Sequence, residues 1–137
     1  MLLESFIIYE GVCMSADDIS EVKKTLQIYF EGNKELDSKK ILSVWDKDLK
    51  IISTEKTQGP NAWIEMEEHY KKQINNDMSK WAIEFEIISI DVFRNCASVR
   101  VYVKYTVGER KFGETQFLHI LKKNNEWLIY SKIFVFY

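Results

Sequence analysis

The sequence has little cysteine. Cys13 and Cys96 are its two, and their spacing suits neither a metal site nor a disulfide framework. So small a supply points to a reduced, cytoplasmic protein. There is no excess of one charge sign either: 19 Lys and Arg are interspersed with 21 Asp and Glu, for a net charge of −2. That excludes the electrostatic footprint of a nucleic-acid or anionic-membrane binder. No apolar run approaches the ~18 residues of a membrane span. No linker, repeat or low-complexity stretch divides the 137 residues, so one domain is expected. What is abundant is aromatic side chain, 14% of the sequence, within an ordinary globular balance of 46% apolar and 29% charged residues. A chain of this size buries about two thirds of its unfolded surface, so its core needs no metal or disulfide.

The first thirteen residues, MLLESFIIYEGVC, have an apolar patch but no basic start, and Glu4 comes early. They make a poor signal peptide. In a bacterial gene, Glu10-Gly11-Val12 can be encoded so as to contain a ribosome-binding AAGGAG shortly before the codon for Met14. Residues 1–13 are then either a translated upstream region or an ordinary N-terminal arm, and the domain spans 14–137.

From Ser15 the pattern is helical. Ser15 and Asp18 form a capping-box arrangement, Ile19, Val22, Leu26 and Tyr29 or Phe30 recur on one face, and Gly32 is placed to end the helix. A shorter helix is expected from Asp37 or Ser38 through Trp45, then a strand over Leu49–Thr54. A third helix opens at Gly59-Pro60-Asn61 and carries Trp63, Met66, Tyr70 and Ile74 on one stripe. Four long strand candidates follow, 81–93, 97–107, 112–122 and 126–137, joined by links short enough for hairpin turns. Helices first and a meander after make an α+β domain. The last segment is odd: from Trp127 to Tyr137 nearly every residue suits a half-buried strand, and Lys132 is the one charge. Terminal residues are usually polar and frayed, so such an ending needs a reason.

The order helix, helix, strand, helix, meander resembles the cone-shaped nuclear transport factor 2-like superfamily. The stretches YFEGNKELDSKKILSVWDKDLKII and ETQFLHILKKNNEWLIYSKIF carry the resemblance. The second is similar to the end of the branch labelled putative lumazine-binding, where a tryptophan after a polar turn leads into a closing Lys-Ile/Val-Phe. The resemblance covers residues 15 to 134. It implies three helices packed on a strongly curved antiparallel sheet whose last strand lies inside, with helices on one face and a partner subunit on the other, and so a homodimer built sheet to sheet; an apolar ending is then expected. It also implies a pocket for a small planar ligand. The alternative to the dimer is a monomer whose 1–13 arm covers the surplus apolar residues.

Ketosteroid isomerase shares that scaffold and uses a carboxylate base with a tyrosine and a protonated aspartate. Laid on it without gaps, this sequence keeps the tyrosine at Tyr29. It puts Ser53 at the base position and Leu118 near the second aspartate. Neither can do the job, so no catalytic set is recognisable. His119, mid-strand among apolar residues, remains a candidate base if it shares a cavity with Tyr29, as in a cyclase- or dehydratase-type enzyme; otherwise it is bonded on the other sheet face. His69 is four residues from Glu65 on the third helix, and with no other histidine nearby no metal site is expected. Glu84 and Glu86 share one strand face and can pair with Arg100 and Lys104 across the ladder. The expected pocket lining is Tyr29, Trp45, Trp63, Tyr70, Leu118 and Trp127, with no cofactor. The leading expectation is a small-molecule-binding domain. An enzyme using His119 with Tyr29, and a scaffolding domain using only its sheet face, are the alternatives.

Overall fold

A computed structural model describes residues 16–53, 57–58, 68 and 81–137 of the chain. The leader, the Ser15 cap and nearly all of the expected third helix lie outside the described residues.

Helix α1 spans Ala16–Glu35, with Asp17 and Asp18 in its first turn, where the helix dipole favours negative charge. Val22, Leu26 and Tyr29, spaced four and three apart, are all buried on one face. Gly32 does not end this helix. The chain continues to Glu35, and Leu36 takes the left-handed conformation (φ 54°) in which helices often terminate. Asp37 N–H then donates to Gly32 O at 2.8 Å and Leu36 N–H to Asn33 O at 3.3 Å, the paired bonds of a Schellman turn. Gly32 instead serves a close approach. A Cβ there would sit 2.6 Å from Ile41 Cγ1 of helix α2, Ser38–Val44. Asp37 caps α2 by accepting from the backbone N–H groups of Lys39 and Lys40.

The strands are β1 (Trp45–Ile52), β2 (Thr57–Gln58), β3 (Ala82–Phe93), β4 (Cys96–Val107), β5 (Arg110–Lys123) and β6 (Glu126–Phe136). They form one six-stranded sheet in the order β2-β1-β6-β5-β4-β3. Three two-residue turns join β3 to β6, and each needs a left-handed backbone: Arg94 (φ 54°), Gly108 (φ 61°), then Asn124 and Asn125 (φ 52° and 63°). Consecutive Asn residues suit a type I′ turn, whose twist matches the flanking strands.

The sheet is mixed rather than antiparallel, because β6 pairs antiparallel with β5 on one side and parallel with β1 on the other. The apolar ending is explained by that position, since β6 is an interior strand. Its ladder runs to the last residue, where Tyr137 and Gly113 exchange backbone bonds of 2.9 and 2.8 Å. The core lies between α1, α2 and the inner face of the sheet and includes Val99, Val101, Leu118, Ile120 and Ile129.

One irregularity decides the rest. On β6, Ile129 pairs with Ile120 and Ser131 with His119, so Tyr130 is an extra residue in the ladder. A bulge of this kind reverses the alternation of side chains beyond it. Trp127 and Ile129 face inward before it, and Lys132 and Phe134, opposite Leu118 and Gln116, face inward after it. Lys132, the one charge from Trp127 to Tyr137, therefore points into the molecule.

Candidate functional site

The inner face of β5 carries Glu114, Gln116, Leu118 and Ile120, all buried. At its Glu114 end the apolar core gives way to a chain of polar contacts. Tyr29 Oη donates to Gln116 Oε1 at 2.9 Å, and Gln116 Nε2 donates to Glu114 Oε1 at 2.8 Å. Tyr105 Oη donates to the other carboxylate oxygen at 2.5 Å. Lys132 Nζ stands 3.8 Å from Glu114 Oε1 and within cation–π range of Tyr29 and Phe134. Glu114 and Gln116 are each 2% exposed and the Lys132 side chain 17%.

Burial pushes the Tyr29 phenol above its ordinary value, with Lys132 opposing the shift and Glu114 adding to it. The phenol is thus a neutral donor at physiological pH. Burial works against the Lys132 ammonium, but attraction to Tyr29 and to the Glu114 carboxylate outweighs it and holds the amine above the ordinary lysine value. The polar row therefore offers a fixed cation beside an anion, flanked by neutral donors.

Aromatic rings surround this row. Tyr105 and Phe112 stack with centroids 4.8 Å apart, and Trp81 meets both edge-on. Phe136 stands 6.3 Å from Phe112 and 5.5 Å from Phe134. On the helix side, Phe30 stacks on Phe85 at 4.4 Å. Flat apolar walls over a few convergent polar groups are the usual make-up of a small-molecule site.

The expected site residues are dispersed by this geometry. Tyr29 is in the polar row. Leu118 shares its sheet face, but the side chain that meets Tyr29 is Gln116, two residues earlier on the same face. Trp45 and Trp127 are buried in the core, and their indole N–H groups have no hydrogen-bond partner among the described residues. Trp63, Tyr70 and His69 lie outside the described residues. His119 and Tyr29 are not brought together: His119 is on the outer face of β5, exposed, with its Nδ1 2.9 Å from Ser131 Oγ. Strand alternation puts it on the opposite face from Gln116 and Leu118. Of the cross-strand pairs, Glu84 and Lys104 meet at 3.9 Å, whereas Arg100 lies over the Phe117 ring at 5.8 Å.

His119 and Ser131 lie in an open trough of about 560 Å³ on that outer face, where Lys50, Asp91, Phe93, Ser98 and Tyr130 also contribute. No helix among the described residues is long and apolar enough to cross a membrane.

The chain belongs to the family described as "putative lumazine-binding", whose model matches residues 17–135. No curated protein matches significantly. Solved structures support the fold. An NTF2-like protein of unknown function from Shewanella baltica has a TM-score of 0.69 at 22% identity, over 90% of this chain and 97% of that one. A protein of unknown function with a cystatin-like fold from Nostoc punctiforme has a TM-score of 0.75 at 10% identity, over 92% and 96%. A ketosteroid isomerase-like protein from Erwinia carotovora atroseptica has 0.68 at 11%, over 88% and 96%. These matches show that the chain shares the NTF2-like, cystatin-like fold, which hosts unrelated activities.

Proposed function

We propose that this chain is a small-molecule-binding domain whose ligand, a flat heterocycle, stacks within the aromatic rim and hydrogen-bonds to the row of Lys132, Glu114, Gln116 and Tyr29. The carrying observation is the 2%-exposed Glu114 carboxylate beside Lys132 at the edge of a largely apolar core. An apolar pair of similar volume is often as stable or more so, so folding alone gives no reason to keep two buried charges. A binding site does give one. The family name supplies the ligand class: a lumazine ring presents carbonyl, N–H and carbonyl along one edge. Lys132 donates to a carbonyl, and Glu114 accepts from the N–H once the Tyr105 hydroxyl gives way.

Titrating lumazine into the protein while following tryptophan fluorescence tests this, since Trp81 is in the rim. Saturable quenching that Lys132→Met weakens at least tenfold is expected, a loss of ~1.4 kcal/mol or more in binding. Unsaturable quenching, or quenching equal in the variant, would remove the proposal.

A further inference from the structure

The bulge that turns Lys132 inward has a second consequence, on the outer face. Ile129 points into the core, and in a regular strand Ser131, two residues on, would do the same. The extra residue Tyr130 reverses the alternation, so Ser131 pairs with His119 and lines the outer trough instead. Tyr130 has no register partner on either neighbouring strand. Pairing resumes at Ser131 on both sides, with His119 of β5 and with Lys50 of β1. Bulges recur beside active sites, where they re-aim a side chain.

The side chain re-aimed here joins a base and a cation. Ser131 Oγ stands 2.9 Å from His119 Nδ1. With the imidazole proton on Nε2, His119 accepts from the serine hydroxyl at Nδ1, which is the bond between nucleophile and base that serine catalysis requires. On the other side of Ser131, one strand spacing (~4.8 Å) away, Lys50 lines the same trough. Lys50 has no ion-pair partner among the described residues, so its ammonium is available to a negative charge that develops beside Ser131. The trough is open and holds about 560 Å³, a volume suited to a small molecule, and Phe93, Leu121 and Tyr130 give it apolar walls.

We infer that the outer trough is a second site, in which Ser131 is the nucleophile and His119 the base for hydrolysis of a small carboxylic ester with an apolar acyl or aryl group. Ser131 Oγ attacks the ester carbonyl, and its proton passes to His119 Nδ1. The tetrahedral oxyanion forms beside Lys50. It collapses by breaking the bond to the alkoxy oxygen, which takes the proton from His119 and leaves as the alcohol. Water then attacks the acyl-serine and gives a proton to His119. The carboxylic acid departs, and the proton returns to Ser131 Oγ. This inference is independent of the ligand reading, which uses the opposite face of the sheet.

An alkyl fluorophosphonate probe reports an activated serine without turnover: Ser131 Oγ bonds to phosphorus, fluoride leaves, and His119 takes the proton. Labelling of the whole chain, located by peptide mass spectrometry, is expected at Ser131. Ser131→Ala should abolish it, and His119→Gln should slow it about tenfold or more. Urea melts of both variants should match the wild type, since neither residue belongs to the buried core. Hydrolysis of p-nitrophenyl acetate should slow in H119Q by a similar factor, and Lys50→Met should lower kcat with little change in KM. An unlabelled Ser131 would overturn the inference. So would equal labelling rates in the wild type and H119Q, or a kcat unchanged in K50M.

Discussion

The two faces of one sheet treat their polar groups in opposite ways. On the inner face, Tyr29, Gln116, Glu114, Tyr105 and Lys132 are bonded or paired to one another, and an apolar core surrounds them. On the outer face, His119 meets Ser131 in the open trough, and Lys50 and Asp91 at its sides have no ion-pair partner among the described residues. A buried charge must find its partner within the chain, because desolvation without one is costly. An exposed charge can leave its partner to water or to another molecule. The inner row is thus satisfied within one chain, whereas the outer charges face solvent.

Substitutions can break this comparison, and the largest effects belong inside. Lys132→Met leaves the Glu114 carboxylate buried beside no cation, and should cost about 3 kcal/mol or more in a urea melt. Adding Glu114→Leu should restore most of that loss, because two apolar groups replace both charges. Gly32→Ala drives a methyl into Ile41 and should destabilise by ~1–3 kcal/mol despite alanine's better helix propensity. Tyr29→Phe leaves Gln116 Oε1 without its donor and should cost about 1–2 kcal/mol. On the outer face, Glu84→Ala removes a partly solvated pair with Lys104 and should change stability by no more than about 0.5 kcal/mol.

Alkaline pH sharpens the same contrast. Tyr29 and Lys132 both titrate higher in the folded chain than in the unfolded one. Their protonated forms therefore favour the fold. That stability is present in full below pH ~10, near their unfolded values, and is lost as pH rises through the raised folded values. Denaturant melts from pH 8 upward, in about half-unit steps, should show a decline above ~10 that is smaller in the K132M/E114L double variant.

Much of the fold was legible because long elements carry strong periodicity. The four meander strands and the helix from Asp37 or Ser38 follow from sequence patterning, and the interior position of the last strand from the family resemblance. The helix end was misplaced because glycine has two uses. At Gly32 the missing Cβ admits Ile41, and Leu36 takes the left-handed position instead. The inner polar row was not legible, for two reasons. In ETQFLHILK, Glu114, Gln116, Leu118 and Ile120 alternate with Thr115, Phe117, His119 and Leu121, and each set pairs two polar with two apolar residues or nearly so. Neither face declares itself as the inside. On β6, the Tyr130 bulge reverses the alternation, and Lys132 would point outward in an unbroken strand. A bulge inside a run of strand-forming residues leaves no mark in composition.

Calorimetric titration of lumazine into the wild type and into K132M/E114L, side by side, separates charges kept for a ligand from charges kept for the fold. If they are kept for a ligand, the wild type binds saturably, and the double variant is as stable yet binds at least tenfold more weakly. Equal binding by both proteins, or no binding by the wild type, would contradict that role.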